Sequence, residues 1–146
     1  RETQTLIDEY TRTFAHPYAA AERGYIDDVI DPRETRPRLI DGLRTANAKR
    51  VALATAYTDV VTGRLKLFLE EHGFEVTSAK GLGYERIPEG AATQEILFNL
   101  GADTYANSGK ADALVVSCGA LRTLDLIVPL ENRITSGVSS GEPARM

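Results

Sequence analysis

The chain has 146 residues, of which 42% are hydrophobic and 26% charged, and its formal net charge at pH 7 is −4. This composition is typical of a soluble globular protein with one core, and it gives no basic surface for a nucleic acid or a membrane. There is no long apolar run and no signal-peptide pattern, so we expect a cytoplasmic protein. The single cysteine excludes an internal disulfide bond.

The first third of the chain has the pattern of helices separated by turns. Apolar side chains at Leu6, Ile7 and Tyr10 predict an amphipathic helix over residues 1–15, and Pro17 ends it because the residue before a proline avoids the helical region. A second helix is predicted by an apolar stripe at helical spacing, formed by Leu39, Ile40 and Leu43. We therefore expect a mainly helical N-terminal segment over residues 1–48.

From Lys49 onward the pattern changes to alternating strands and helices. Three short runs rich in aliphatic and β-branched residues predict strands, at 51–55, 74–78 and 113–116. Residues 80–90 have the glycines and the proline of a loop, and Thr93 is the expected N-cap of a helix. The alternation predicts an α/β fold, a three-layer sandwich around a small parallel sheet of three or four strands. Residues 137–140 are the candidate fourth strand, with a disordered tail as the alternative.

The only cysteine lies where the last of these strands is predicted to end. The run 113–116 has the pattern of a strand buried on both faces. Ser117 and Cys118 follow it, and a helix is predicted to begin at once and to run through Arg133. Ligands of open α/β sheets bind beyond the carboxyl ends of the strands, and a helix N-terminus favours a thiolate. A reactive cysteine is one interpretation, and a buried small apolar residue is the other.

Other polar side chains are expected at the same edge of the sheet. Tyr57 follows the strand 51–55, and it either contacts a ligand or packs with its hydroxyl in water. Thr55 and Ser117 either donate hydrogen bonds to a carboxylate or bond to the backbone. The two histidines, at positions 16 and 72, lack the spacing of metal ligands, so no metal site is expected.

The stretch FAHPYAAAERGYIDDVIDPRETRPR, residues 14–38, carries a first resemblance. The matching residues are Phe14, Pro17-Tyr18, Ala20-Ala21-Glu22-Arg23-Gly24, Asp27-Asp28, Asp31-Pro32 and Thr35-Arg36. Residues 14–48 resemble the C-terminal end of the carboxyltransferase β-subunits of biotin-dependent acyl-CoA carboxylases. The resemblance implies the last part of a crotonase-like domain, which mainly supports the fold, whereas most of the CoA and biotin sites of that family lie upstream.

A second resemblance covers residues 50–133. Its strings are VALATAY at 51–57, FLEE at 68–71, GLG at 81–83, SCG at 117–119 and LRTLD at 121–125. They are similar to the C-terminal half of the arylmalonate decarboxylases, and to the related maleate isomerases and aspartate/glutamate racemases. The resemblance implies half of an Asp/Glu racemase-like fold and a cysteine chemistry that uses no cofactor.

The resemblance also implies roles for individual residues. Cys118 is the proton donor, Tyr57 donates a hydrogen bond to a carboxylate, and the backbone N–H of Gly119 helps to hold it. Ile87 lies in the apolar pocket that takes the carboxylate to be lost. The first half of that family's site has no counterpart among these strings, so the site is expected to be incomplete in a single chain.

Three functions follow as alternatives. The first is a cofactor-independent decarboxylase or isomerase of a small malonate- or maleate-like dicarboxylate. The second is a non-catalytic interaction module or a chimeric fragment, and the third is a fragment of a carboxyltransferase subunit. We expect a helical segment at 1–48, an α/β half-domain at 49–134 and a flexible tail at 135–146. The exposed edges of a small sheet predict a homodimer or a partner chain.

Overall fold

A computed structural model describes residues 2–14, 17–24, 26, 28–117 and 122–139. The chain divides into two compact units, residues 1–39 and residues 40–146. No helix in the described part of the chain is both long and apolar enough to cross a membrane.

The first unit is helical, as its sequence predicts. Helix α1 spans Glu2–Phe14, helix α2 spans Pro17–Glu22, and a 3₁₀ turn at Pro32–Glu34 leads into helix α3, Thr35–Thr45. The first unit ends within α3, at residue 39. Asp31 caps the 3₁₀ turn because its Oδ1 accepts the Arg33 N–H at 2.9 Å. The side chain and backbone of Arg33 hold the pKa of the Asp31 carboxyl below its usual value.

The second unit contains a parallel sheet of three strands. Strand β1 spans Arg50–Tyr57, β2 spans Glu75–Tyr84 and β3 spans Ala113–Ser117, in the spatial order β2-β1-β3. Helix α4, Asp59–Glu71, joins β1 to β2, and helix α5, Gln94–Ala106, joins β2 to β3. A 3₁₀ turn at Leu124–Leu126 leads into helix α6, Ile127–Ser139. The predicted α/β fold with a small parallel sheet is thus confirmed.

The strand order determines where the helices lie. The chain moves from β1 outward to β2 and then back across β1 to β3. Because parallel crossovers are right-handed, this reversal places α4 and α5 on opposite faces of the sheet. Helix α4 packs on β1 and β2, and α5 packs on all three strands, so the sheet lies between helices.

The core is built around the central strand. Residues 51–55 of β1 are completely buried, and Leu69 of α4 and Leu97 of α5 are covered beside them. Leu97 also forms an apolar cluster with Leu126 and Leu130, which attaches α6 to α5. The predicted cap of α5 is confirmed, since Thr93 Oγ1 accepts the Ile96 N–H at 3.3 Å.

Three features of the sequence prediction need correction. Strand β3 was expected to be buried on both faces, but it lies at an edge of the sheet and its residues are half-buried. Strand β2 continues to Tyr84, through residues predicted as a loop. Residues 137–139, a candidate strand, are the end of α6, so among the described residues the sheet has three strands.

Candidate active site

The carboxyl ends of β1 and β3 lie side by side. Thr55 of β1 is the register partner of Ser117 of β3, and neighbouring strands lie about 4.8 Å apart. The crossover direction reverses between these two strands, which makes this position the topological switch point of the sheet. Open α/β sheets bind their ligands in the crevice outside the strands at such a point. The predicted site residues of β1 and β3 are therefore brought together at the place where a ligand is expected.

Thr55 is a buried member of this edge. Its Oγ1 lies 2.7 Å from Oγ1 of Thr62 in α4 and accepts the backbone N–H of Tyr57 at 3.2 Å. The bond from the Tyr57 N–H is the backbone bond expected as one of the two uses of Thr55, and its use as a carboxylate donor stays a prediction. The hydroxyl of Thr55 thereby acts on Tyr57, the last residue of β1.

Tyr57 is half-buried and is the last residue of β1. It pairs with Tyr84 at the end of β2, after an irregularity in the register between Thr55 and Tyr57. On β2 this irregularity falls at Gly83, whose φ of +78° lies in the left-handed region that glycine tolerates. Such bulges redirect side chains at the edges of sheets.

Gly81 brings β2 unusually close to the end of β1. A Cβ built at Gly81 would lie 2.5 Å from the Tyr57 carbonyl oxygen and 2.9 Å from Thr62 Oγ1. No side chain fits at those distances, so the position requires glycine. Sequence reasoning did not identify Thr62 or the role of Gly81. A signal for Thr62 existed, because it lies on the helical stripe of Leu65 and Leu69.

The remaining predicted residues lie farther along the chain. Ile87 is half-buried in the loop between β2 and α5, which starts from the same edge of the sheet. Ser117 is half-buried at the end of β3. Cys118 and Gly119 lie outside the described residues.

Two residues of the helix predicted after Cys118 are not helical. Among the described residues that follow β3, Arg122 and Thr123 have no helical structure, and the 3₁₀ turn at Leu124 leads into α6. The predicted start of the helix at the cysteine lies outside the described residues, so the effect of a helix N-terminus on the thiol stays a prediction. Gln94 Nε2 at the start of α5 donates to the Arg122 carbonyl at 2.8 Å and so connects Arg122 to α5.

A cavity of about 680 Å³ lies along β3 and α6. Its lining is mainly apolar, from residues such as Leu114, Ile127 and Ile134, with Asp112 and Glu131 as its acidic members. Val116 and Thr123 also line it, and these two residues flank the segment that contains the cysteine. The volume lies in the range of small-molecule pockets. Within the described residues, no group of three or more His, Cys, Asp or Glu residues is arranged to hold a metal ion.

Comparisons with known proteins match two families, one toward each end of the chain, and the two matches overlap at residues 32–59. The sequence profile of the family described as Arylmalonate decarboxylase matches residues 32–146. The profile of the family described as Carboxyl transferase domain matches residues 1–59. Both resemblances expected from the sequence are thus confirmed.

Individual relatives agree with these matches. Arylmalonate decarboxylase of Bordetella bronchiseptica is 36% identical over 107 residues, which are 73% of this chain and 45% of that protein. The carboxyltransferase subunit of propionyl-CoA carboxylase from Haloferax mediterranei is 58% identical over 45 residues, which are 31% of this chain and 9% of that subunit.

Solved structures extend the likeness to the fold. A crystal structure of arylmalonate decarboxylase matches with a TM-score of 0.60 at 34% identity, over 68% of this chain and 43% of that chain. This chain therefore spans less than half the length of the decarboxylases that it matches. Because the family profile covers most of the chain and the fold is shared, the chain belongs to the arylmalonate decarboxylase family.

Proposed function

We propose that the chain provides one half of a cofactor-independent decarboxylase or isomerase site for small malonate- or maleate-like dicarboxylates. The observation that supports this most is the pairing of Thr55 with Ser117. It brings Tyr57 and the start of the SCG segment to the switch point of the sheet, in a chain of this family.

The proposed chemistry needs one acid and several hydrogen-bond donors. The bond between the α-carbon and one carboxylate breaks, CO₂ leaves, and the electron pair stays on the α-carbon as an enediolate. The thiol of Cys118 gives its proton to that carbon, and the thiolate then recovers a proton from water. The Tyr57 hydroxyl and the Gly119 N–H hold the remaining carboxylate, where negative charge develops. Such donors provide the largest catalytic contribution in comparable sites.

The site is expected to need a further protein segment. The chain covers 45% of its relative from Bordetella and 43% of the matching crystal structure. Each missing donor of an oxyanion site typically costs about 10²–10³ in rate. We therefore expect a low turnover by the isolated chain. A protein segment that supplies the other hydrogen-bond donors is expected to raise it.

The direct test is decarboxylation of phenylmalonate in D₂O, followed by NMR as formation of α-deuterated phenylacetate. Maleate, followed as conversion to fumarate, tests the isomerase alternative with the same samples. We expect slow turnover that Cys118→Ala abolishes while the melting temperature stays unchanged. Equal rates in the two proteins, or no turnover of either compound, would remove the proposal.

A second candidate function, an interaction module, is favoured by the free edge of β3. Among the described residues, β3 pairs with β1 alone, and the mainly apolar cavity lies along it. Unpaired edges and apolar grooves both favour association. The proposed occupant is a second copy of this chain, because two identical edge strands can pair antiparallel about a twofold axis.

The oligomeric state tests this candidate. Ile127 lines the cavity and is 49% exposed, whereas Val128 is 63% exposed and does not line it. We expect a dimer in sedimentation equilibrium that Ile127→Glu dissociates and that the matched control Val128→Glu does not. A monomer at all concentrations, or equal effects of both variants, would contradict association through this edge.

A further inference from the structure

Thr62 is a buried hydroxyl residue of α4. It lies on the buried face of this helix with 5% of its surface exposed, the same face that carries the completely buried Leu69. Its Oγ1 points toward the sheet and lies 2.7 Å from Thr55 Oγ1. A buried hydroxyl without such a partner would be costly, so the two threonines depend on each other.

The pair acts on the residue that ends β1. Thr55 Oγ1 accepts the Tyr57 N–H at 3.2 Å, and the Thr62 N–H donates to the Thr58 carbonyl at 2.9 Å. On the side of β2, Gly81 lies so close to the Tyr57 carbonyl that even a methyl group would collide with it. The backbone of Tyr57 is thus held by the hydroxyl of Thr55, which pairs with Thr62 of α4, and is closely approached by β2.

We propose that Thr62 is a positioning residue that fixes Tyr57 at the switch point through the hydroxyl of Thr55. The side chain of Thr62 is buried between α4 and β1, so it acts through Thr55 and not on a ligand. A site that binds a carboxylate through Tyr57 depends on this support, because hydrogen-bond donors are effective only when held in place before the ligand arrives. The carboxylate part of this inference rests on the proposed function, whereas the placement of the Tyr57 backbone does not.

Hydrogen exchange of the full chain tests whether Thr62 positions the backbone of Tyr57. Thr62→Val keeps the shape and removes the hydroxyl, Thr62→Ser keeps the hydroxyl, and Thr104→Val is the matched control. Thr104 is also a buried helical threonine, but its hydroxyl donates to the Leu100 carbonyl of its own helix at 2.6 Å. The exchange rate of the Tyr57 amide is divided by that of the Leu53 amide in the same strand, and the Leu53 rate is also compared by itself so that a change in global stability is recognised.

We expect Thr62→Val to raise this ratio on the order of fivefold, as the weakening of one hydrogen bond predicts, and Thr62→Ser to restore it. Thr104→Val leaves the ratio unchanged. An unchanged ratio in Thr62→Val, or an equal change in Thr104→Val, overturns the inference. If Thr62→Val does not fold, Thr62→Ala removes the same hydroxyl and leaves Thr55 in place, and the same ratio decides.

Titration with phenylmalonate, followed by NMR, tests the carboxylate part. We expect the dissociation constant to rise on the order of fivefold in Thr62→Val and to return in Thr62→Ser. Equal affinity of the wild-type chain and Thr62→Val overturns this part. If the wild-type chain does not bind phenylmalonate, the proposed function fails, and the exchange ratio still decides whether Thr62 positions Tyr57.

Discussion

Asp112 Oδ2 accepts the backbone N–H of Arg50 at 2.8 Å and so joins the residue before β3 to the first residue of β1. The same oxygen accepts the Lys49 N–H at 2.8 Å, and the Asp112 N–H donates to the Arg50 carbonyl. The Arg50 guanidinium in turn donates to the Lys110 carbonyl at 3.0 Å. The amino end of the sheet is therefore fastened by one carboxylate, at the end opposite to the proposed site.

This carboxylate predicts a pH dependence of stability. The hydrogen bonds from Arg50 and then Lys49 lower the pKa of Asp112 below its ordinary value of 3.8. A lowered pKa in the folded state stabilises the protein above the unfolded pKa, and the effect is lost as the pH falls through the folded value. The difference in free energy of unfolding between wild type and Asp112→Asn is therefore constant from pH 7 to about 5 and shrinks below pH 3.8. Urea denaturation of both proteins across this pH range measures the difference. A difference that stays constant down to pH 2 would contradict the prediction.

We expect alanine substitutions of Gly81 and Gly63 to have opposite effects on the free energy of unfolding. In Gly81→Ala the new methyl group meets the Tyr57 carbonyl, and overpacking of this kind typically destabilises by about 1–3 kcal/mol. Gly63 in α4 has no atom within 4 Å of a built Cβ, so Gly63→Ala is expected to stabilise the chain by about 0.5–1 kcal/mol. Denaturant unfolding compares the two. A similar effect of both variants would mean that β2 can move away from the Tyr57 carbonyl.

Shortening a buried side chain of the central strand is expected to lower the stability of the chain strongly. Leu53 is 0% exposed, and Leu53→Ala is expected to destabilise the chain by about 2–5 kcal/mol. Leu67 in α4 is 59% exposed, so Leu67→Ala should change the free energy of unfolding by less than about 0.5 kcal/mol. Thermal unfolding of both variants is the measurement. A cost below about 1 kcal/mol for Leu53→Ala would contradict the position of β1 at the centre of the core.

Removing the hydroxyl of Tyr57 is expected to lower turnover without lowering the stability of the chain. If its hydroxyl holds the carboxylate, Tyr57→Phe lowers the decarboxylation rate by about 10²–10³. Tyr105→Phe is the control, since the Tyr105 hydroxyl donates to the Ala111 carbonyl at 2.9 Å at the amino end of β3. We expect Tyr105→Phe to keep the rate of wild type. Similar rates for Tyr57→Phe and wild type would exclude the hydroxyl from the site.

Local patterns in the sequence were sufficient for the elements themselves. The apolar run of 51–55 predicted β1, the cap at Thr93 predicted the start of α5, and their alternation predicted a parallel sheet. These signals depend on neighbours along the chain, so they can be recognised without knowledge of the fold.

The order of the strands depends on distant residues, and the expectation that the strand 113–116 is buried on both faces was wrong. The runs 51–55 and 113–116 are both apolar, yet the first is the buried centre and the second an edge. Periodicity cannot distinguish them, because both lack a polar face. The length of β2 was underestimated because glycines usually interrupt strands. Here Gly81 allows a close contact with the end of β1, and Gly83 accommodates a bulge.

The central position of β1 also has a consequence for how the chain folds. Val51 pairs with Val76 of β2 and with Ala113 of β3, so the first pairing closes a much shorter loop than the second. The entropic cost of closure grows with loop length, and a growing polypeptide leaves the ribosome from its amino terminus. We therefore expect the unit of β1, α4 and β2 to form during synthesis, while the strand that precedes the cysteine joins last.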